Sequence, residues 1–393
     1  MKNMATMFGI SMFLGAAVLP RLAGAWSWVP MKTEALKACM VAFAKENGHA
    51  AFAERIAAEK DLTSWIEETI EYAEKGLARC EGADYRDARR HALLRLVDYP
   101  THIDSYSTNT PVEVRKAWFV AMDAQSRRAR KRVFEEVKAA RINEGELGIF
   151  HFYNMGYILK GPRHAVALDV TDTPCQWTDE ERMELARLTD FFVLTHPHRD
   201  HYSKRMLQPF FDLGKPVVLP CDIGITNALC RLFTDDHDTH VDVAGVGVRN
   251  YMGNQRVPCN VYQFDIDGVK VTAPGDNDAH EVYTNLTRGA ATDIIISPVW
   301  NFPSNIVRSC MANPGFNRNT ALFLPSHYNE LGHGVRNRES YWEAFWREDR
   351  LSTPGMIWPR TQVLYLGESV IWKRDLAGDD QCAGARKHRK GWL

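Results

Sequence analysis

The spacing of apolar residues changes near Gly145, and the change divides the chain. From about Thr33 to Asn143 they recur at the interval of a helix face: Leu36, Met40, Phe43 and Ala44, then Trp65, Ile66, Ile70 and Ala73, then Ala92, Leu93, Leu96 and Val97. Asp61 and Thr63 stand where helix N-caps are expected, and Asn47-Gly48 and Glu81-Gly82 where helices stop. Pro100 and Pro111 bracket a turn-rich linker, after which Val112 to Ile142 reads as one long helix.

Past Gly145 the pattern becomes short runs rich in β-branched and aromatic residues. Strands are predicted at Phe150–Leu159, Ala165–Val170, Phe191–Leu194, Val217–Leu219, Val261–Ile266, Val269–Ala273, Ile294–Val299, Ala321–Leu324 and Val363–Leu366. Asp267-Gly268 between two alternating runs predicts a hairpin turn. Helical stretches intervene at Asp179–Leu188, Lys204–Phe211, Ile225–Phe233 and Glu339–Arg347. The alternation predicts an α/β layered domain over 145–380, preceded by an all-helical region over 26–144 and followed by a basic tail over 381–393.

The first 25 residues have a different character. Lys2 precedes the apolar stretch Met7 to Leu19, and Ala23-Gly24-Ala25 offers small residues at the spacing a signal peptidase reads. The run is shorter than the ~20 residues of a membrane span. The expectation is a signal peptide, with a mature chain in the periplasm or outside the cell. A buried N-terminal helix is the alternative. Eight cysteines, Cys39 and Cys80 among them, agree with an oxidising compartment. None has C-x-x-C spacing, so a cysteine zinc cluster is not expected.

Composition narrows the picture only a little. A formal net charge of -1 with 25% charged residues gives no reason to expect nucleic acid as a partner. The run Arg127 to Arg132 is expected to be a solvated helix face, with a basic surface for an anionic substrate or a membrane as the alternative. Oligomeric state is not readable from the sequence.

The chemistry concentrates in Thr195-His196-Pro197-His198-Arg199-Asp200-His201, directly after the apolar run Phe191–Leu194 and before a helix. A loop at the carboxyl end of a buried strand is where ligands collect in open α/β sheets. Residues two apart in an extended segment point the same way, so His196 and His198 can share one cation, while Asp200 and His201 turn toward a second position. Two other strand ends offer partners: Asp276 in Val271-Thr-Ala-Pro-Gly-Asp276, and His327 closing the run from Ala321. Imidazole and carboxylate ligands suit zinc, with manganese and iron as alternatives.

His196-x-His198-x-Asp200-His201 resembles the H-x-H-x-D-H signature of the metallo-β-lactamase fold. The order around it is similar too: Asp169 closes an early strand, and Asp276 in a Gly-Asp and then His327 follow the signature. The resemblance covers about 145–370 and implies a four-layer αββα sandwich. Among its branches the chain is similar to lactonase-like and N-acyl-phosphatidylethanolamine phospholipase D-like proteins. It implies that His196 and His198 hold a first metal and Asp200, His201 and His327 a second, with Asp276 bridging and Asp169 supporting from behind. Two cations about 3.5–4 Å apart would lower the pKa of a bound water from 15.7 toward about 7 and deliver hydroxide to an ester, lactone, phosphodiester or amide. With one metal, Asp200 becomes a candidate general base. A small-molecule or lipid-like substrate is expected.

One feature departs from the family pattern. A further histidine for the first metal is expected between the signature and Asp276, yet Val241 to Phe264 contains none. His280, four residues after Asp276, is the favoured substitute, ahead of His240; His237 lies nearby. Trp300, Asn301, Phe302 and Tyr328 are candidate pocket residues, as is His333. The alternative functions are a degenerate binding or scaffold protein that keeps a structural metal, and an iron oxidoreductase needing a flavin partner.

Overall fold

The computed structural model describes residues 112–172, 176–227, 229–233, 239–254, 257–277, 292–298, 322–327 and 360–374. The expectations for the signal peptide, most of the helical region, the helix Glu339–Arg347 and the basic tail lie outside them. So do those for His237, His280, Trp300, Asn301, Phe302, Tyr328 and His333.

Among the described residues, two mixed sheets stack face to face, each with seven strands. The first contains β1 (Glu146–His151), β2 (Tyr157–Lys160), β3 (Ala165–Leu168), β4 (Phe191–Val193), β5 (Val217–Pro220), β6 (Cys230–Phe233) and β14 (Ser369–Lys373), in the order β14-β1-β2-β3-β4-β5-β6. The second contains β7 (Thr239–Val243), β8 (Val246–Asn254), β9 (Pro258–Ile266), β10 (Val269–Ala273), β11 (Ile294–Pro298), β12 (Leu322–Ser326) and β13 (Arg360–Thr361), in the order β13-β12-β11-β10-β9-β8-β7. From β3 to β6 and from β10 to β13 the neighbours run parallel. β3, β4, β5, β11 and β12 are buried along their whole length, which is why runs such as Ala165–Leu168 and Phe191–Val193 are apolar throughout.

Alternation along each strand feeds two cores. Leu147, Ile149, Leu159, Val166, Leu168 and Val193 face the second sheet, where Tyr262, Phe264, Val271, Ile294 and Leu324 meet them. Phe150, Ile158, Ala167, Phe192 and Val217 face outward against three helices. These are α1 (Val112–Ala139), α2 (Asp179–Leu188) and α3 (Lys204–Asp212), which contribute Val133 and Phe134, Leu185, and Met206 and Phe210 respectively. Three of the four expected layers are thus described, helices and two sheets.

Local chemistry sets the helix ends. Thr178 and Glu181 form a reciprocal capping box at the start of α2, and Asp179, Glu180 and Glu181 complement its dipole. Lys215 Nζ donates to the carbonyls of Ala186 and Thr189 at the other end, at 2.7 and 2.6 Å. Lys160 Nζ does the same for Val137 and Ala140 beneath α1, at 2.6 and 3.0 Å. In each case an ammonium satisfies carbonyls that a helix leaves open.

Several expected elements differ. The run Phe150–Leu159 is broken by a tight turn, with Gly156 N donating to Tyr153 O at 2.7 Å, and gives β1 and β2. The stretch Ile225–Phe233 is not a helix: Cys230–Phe233 is the edge strand β6, paired with β5, because a parallel neighbour outcompetes a weak helical pattern. Val363–Leu366 is a buried connection, and β14 forms beyond the turn at Leu366 and Gly367. β7 and β8 form a hairpin that was not expected, turning at Ala244 and Gly245, with φ of 52° and 86°. Within the basic run, Arg127, Arg128 and Lys131 are exposed as expected, but Arg130 is 1% exposed. Its guanidinium donates to Glu181 Oε1, Ser126 Oγ and Gln176 O and lies over the Trp177 ring, tying α1 to α2.

Candidate metal centre

Four segments meet at one end of the sandwich, each just past the carboxyl end of a strand in a parallel pair. Asp169 follows β3, Thr195 to His201 follow β4, Asp276 follows β10 and His327 follows β12. Their backbones are bent to fit. Asp169 and His327 take φ of 45° and 60°, and Gly275 takes 55°. A non-glycine residue in this region is uncommon, and such residues gather at functional sites. Gly275 also permits close approach, since a Cβ there would lie 2.6 Å from the side chain of Thr195.

The side chains form two groups that share one carboxylate. Asp200, His201, Asp276 and His327 each offer a ligand atom within 4.8 Å of the others, and so do His196, His198 and Asp276. Asp276 Oδ2 is 3.5 Å from His196 Nε2 and 3.2 Å from His327 Nε2, while its Oδ1 is 3.3 Å from His201 Nε2. Asp200 Oδ2 lies 3.3 Å from His201 Nε2 and 3.2 Å from His327 Nε2. His196 Nε2 and His198 Nδ1 face each other at 3.0 Å. His196, His201, Asp276 and His327 are buried, and His198 and Asp200 are half-buried.

A single carboxylate behind the cluster orients both groups. Asp169 accepts from Thr195 N at 2.8 Å, from Thr195 Oγ1 at 2.6 Å and from His201 Nδ1 at 2.9 Å. The Thr195 hydroxyl has one proton and gives it to Asp169, so toward His196 Nδ1, 3.0 Å away, it can only accept. His201 is thereby held with Nδ1–H on Asp169 and His196 with Nδ1–H on Thr195 Oγ1, and both Nε2 atoms turn into the cluster.

Burial raises the carboxyl of Asp200, but His201 and His327 beside it outweigh that and hold it well below the usual range. Asp276 is likewise opposed by burial and held far down by His327, His201 and His196. His201 moves the other way: burial lowers it, and Asp276, Asp200 and Asp169 together raise it well above its ordinary value. Burial and the neighbouring His196 push His198 down. The buried His201 Nε2 and Asp276 Oδ1 have no hydrogen-bond partner. Buried polar atoms are rarely left so, because desolvation costs about 1–3 kcal/mol each. Converging nitrogen and oxygen donors with such orphaned atoms fit a divalent cation.

Of the sequence-predicted residues, His196, His198, Asp200, His201, Asp276 and His327 are brought together, and His280 lies outside the described residues. His240 is not brought in. It is exposed on β7, paired in register with Arg249, and belongs to neither ligand group. Sequence reasoning missed Asn154, in the turn between β1 and β2, whose Nδ2 reaches Asp200. It also missed Tyr157, whose hydroxyl meets Ser326 Oγ just before His327.

The two-sheet core with this cluster at its carboxyl ends is a mixed α/β sandwich that resembles the metallo-β-lactamase fold. No protein-family model matches the chain, and no curated protein matches it significantly. Solved structures do. A metallo hydrolase from the hyperthermophilic archaeon Ignicoccus hospitalis is 15% identical over 58% of this chain and 99% of its own, with a TM-score of 0.44. The metallo-β-lactamase fold protein YhfI from Bacillus subtilis is 11% identical over 58% of this chain and 99% of its own, at 0.38. An isothiocyanate hydrolase from Delia radicum gut bacteria is 14% identical over 58% of this chain and 99% of its own, at 0.40.

Proposed function

We propose that this chain is an exported, metal-dependent hydrolase acting on a small-molecule or lipid-like ester, lactone, phosphodiester or amide. The observation that carries the reading is the pair of His/Asp groups sharing Asp276, with His201 Nε2 and Asp276 Oδ1 buried and without a hydrogen-bond partner. His196, His198 and Asp276 would hold one cation, and Asp200, His201, His327 and Asp276 the other. Zinc suits this donor set best, and manganese and iron are the alternatives. Bound there, divalent ions supply Lewis acidity and activate water near neutral pH.

The chain's own groups do the rest. Asp200 and Asp276 are held below the usual carboxylate range, so both carboxylates are ionised before any cation arrives. Asp169 and Thr195 hold the imidazoles of His201 and His196 with their Nε2 atoms turned inward. His196, His201, Asp276 and His327 are buried, and low exposure to water strengthens charge stabilisation at a reacting oxygen. Export is part of this reading and is supported by the apolar stretch before Ala23-Gly24-Ala25.

The test is metal analysis of the purified full chain, with generic phosphodiesters, lactones and esters assayed at several pH values. Bound zinc, manganese or iron with turnover that disappears in His196→Ala and Asp276→Ala is the expected result. A chain that binds none of these metals would sink the reading. Bound metal without turnover of any of these substrates would overturn it in favour of a scaffold with a structural ion.

A further inference from the structure

The turn between β1 and β2 is pressed into the site end of the first sheet. Gly156 fits so tightly that a Cβ there would stand 2.9 Å from Tyr153 O and 3.3 Å from the Asp169 carbonyl. Asn154 is 1% exposed in this turn, with φ of 55°. Its carbonyl faces His151 Nε2 at 3.1 Å. Its side chain leaves the turn entirely and crosses to the signature loop. Nδ2 donates to Asp200 Oδ2 at 3.2 Å and to Asp200 O at 3.3 Å.

Two details separate this contact from ordinary turn chemistry. Asparagine in a left-handed turn is expected to hydrogen-bond locally, yet here the bonds reach 46 residues along the chain. Both target atoms are acceptors, so the amide nitrogen must face them, and Oδ1 is left buried without a partner. The amide thus leaves its own acceptor unsatisfied and spends both contacts on one carboxylate. That carboxylate is the one whose Oδ2 also faces His201 and His327.

Building on the metal-centre reading above, we infer that Asn154 is a positioning residue. It fixes the Asp200 carboxylate by gripping its side chain and its backbone at once, and so sets the cation affinity of the Asp200–His201–Asp276–His327 group. Partners of this kind typically change metal affinity by about 10–100-fold when removed. Glycine accepts the same φ, so Asn154→Gly removes the amide and keeps the turn. Asn154→Asp keeps the shape and replaces the donor by a second acceptor facing Asp200.

The test is zinc affinity of the full chain, by competition with a chromophoric chelator, together with the visible spectrum of the cobalt(II) form. Asn154→Gly is expected to lose about 10–100-fold at one of the two positions and to alter the cobalt spectrum. The thermal midpoint of the metal-free chain should stay near that of wild type. Asn154→Asp should lose at least as much. Wild-type affinity and spectrum in Asn154→Gly would overturn the inference. So would a fall in metal-free stability with affinity unchanged, which is what a purely structural turn residue gives. If the wild-type chain binds neither zinc nor cobalt, the proposed function itself fails, and no variant is needed to see it.

Discussion

The two ends of the sandwich both set carboxylates against histidines between the sheets, and they use them in opposite ways. At the hairpin end, Asp267 sits in the β9–β10 turn, with φ of 52° at Asp267 and 84° at Gly268. It accepts from Arg163 N at 2.8 Å and His164 N at 3.1 Å, and from His164 Nδ1 at 2.7 Å and Arg163 Nε at 3.1 Å. Every contact comes from one short loop, and both oxygens are satisfied. This clamps the second sheet to the β2–β3 turn of the first. At the other end, Asp276 faces three imidazoles, yet its Oδ1 and the facing His201 Nε2 have no hydrogen-bond partner. Residue types alone do not distinguish a clamp from a site; the state of their hydrogen bonds does.

Asp276→Ala should break the comparison most visibly. It is the one residue common to both ligand groups, so its loss should lower zinc affinity by more than the ~100-fold that an outer partner costs. Hydrolysis of whichever ester or phosphodiester proves active should fall with it. Equilibrium dialysis with metal analysis measures the first effect and initial rates the second. Retained metal at wild-type affinity would put Asp276 in the same class as Asp267.

Next in size is Gly275→Ala. The added Cβ would meet Thr195 Cβ and Oγ1, both at 2.6 Å, and Cys259 Sγ at 3.0 Å, on a backbone at φ +55°. Left-handed strain of about 1–2 kcal/mol adds to overpacking of about 1–3 kcal/mol. A loss of about 2–5 kcal/mol in urea unfolding is expected, with weaker zinc binding because Thr195 carries the link from Asp169 to His196. Unchanged stability would mean that Thr195 yields freely and is not the rigid support described above.

How far these two ends could be told apart from sequence depends on range along the chain. His196, His198, Asp200 and His201 are readable because they are neighbours at a strand end, and Asp276 and His327 because each follows its own apolar strand. The hairpin at Asp267-Gly268 is readable for the same local reason. The grip of Asn154 on Asp200 is invisible, since it depends on a turn in one sheet meeting a loop 46 residues on. The Tyr157–Ser326 contact spans 169 residues and both sheets. His240 looked available only because the β7–β8 hairpin had not been recognised; pairing with Arg249 carries it down an edge strand. Cys230–Phe233 illustrates the opposite limit, a four-residue run whose structure is decided by β5 beside it.

Proton competition sharpens the contrast further. In the metal-free chain His201 is raised well above its ordinary 6.5 by Asp276, Asp200 and Asp169, against the pull of burial. A raised histidine stabilises the fold fully below its unfolded value and loses that contribution as pH rises through the folded value. A cation must displace this proton, so zinc affinity should rise with pH from about 6 to 8, by about tenfold per unit while His201 remains protonated. Competition titrations across that range measure the slope. A flat profile would mean that no proton leaves and that His201 is not a ligand.

The smallest effect belongs to the clamp. Asp267→Ala removes four acceptor contacts, but the Arg163 side chain is 66% exposed, so its ion pair is screened and worth little. What remains is mainly the hydrogen bonds to Arg163 N and the two His164 nitrogens, and a net loss of about 1–2 kcal/mol is expected. Burial raises the Asp267 carboxyl, and the Arg163 and His164 donors outweigh it and hold it below its ordinary value. The stability it contributes is therefore present above pH ~4 and lost as pH falls through the folded value, so the variant should flatten the acid limb of a stability–pH profile. Zinc affinity at the other end should not move. A variant that lost metal as well as stability would show that the clamp sets the spacing of the sheets at the site, and the two ends would then be one device.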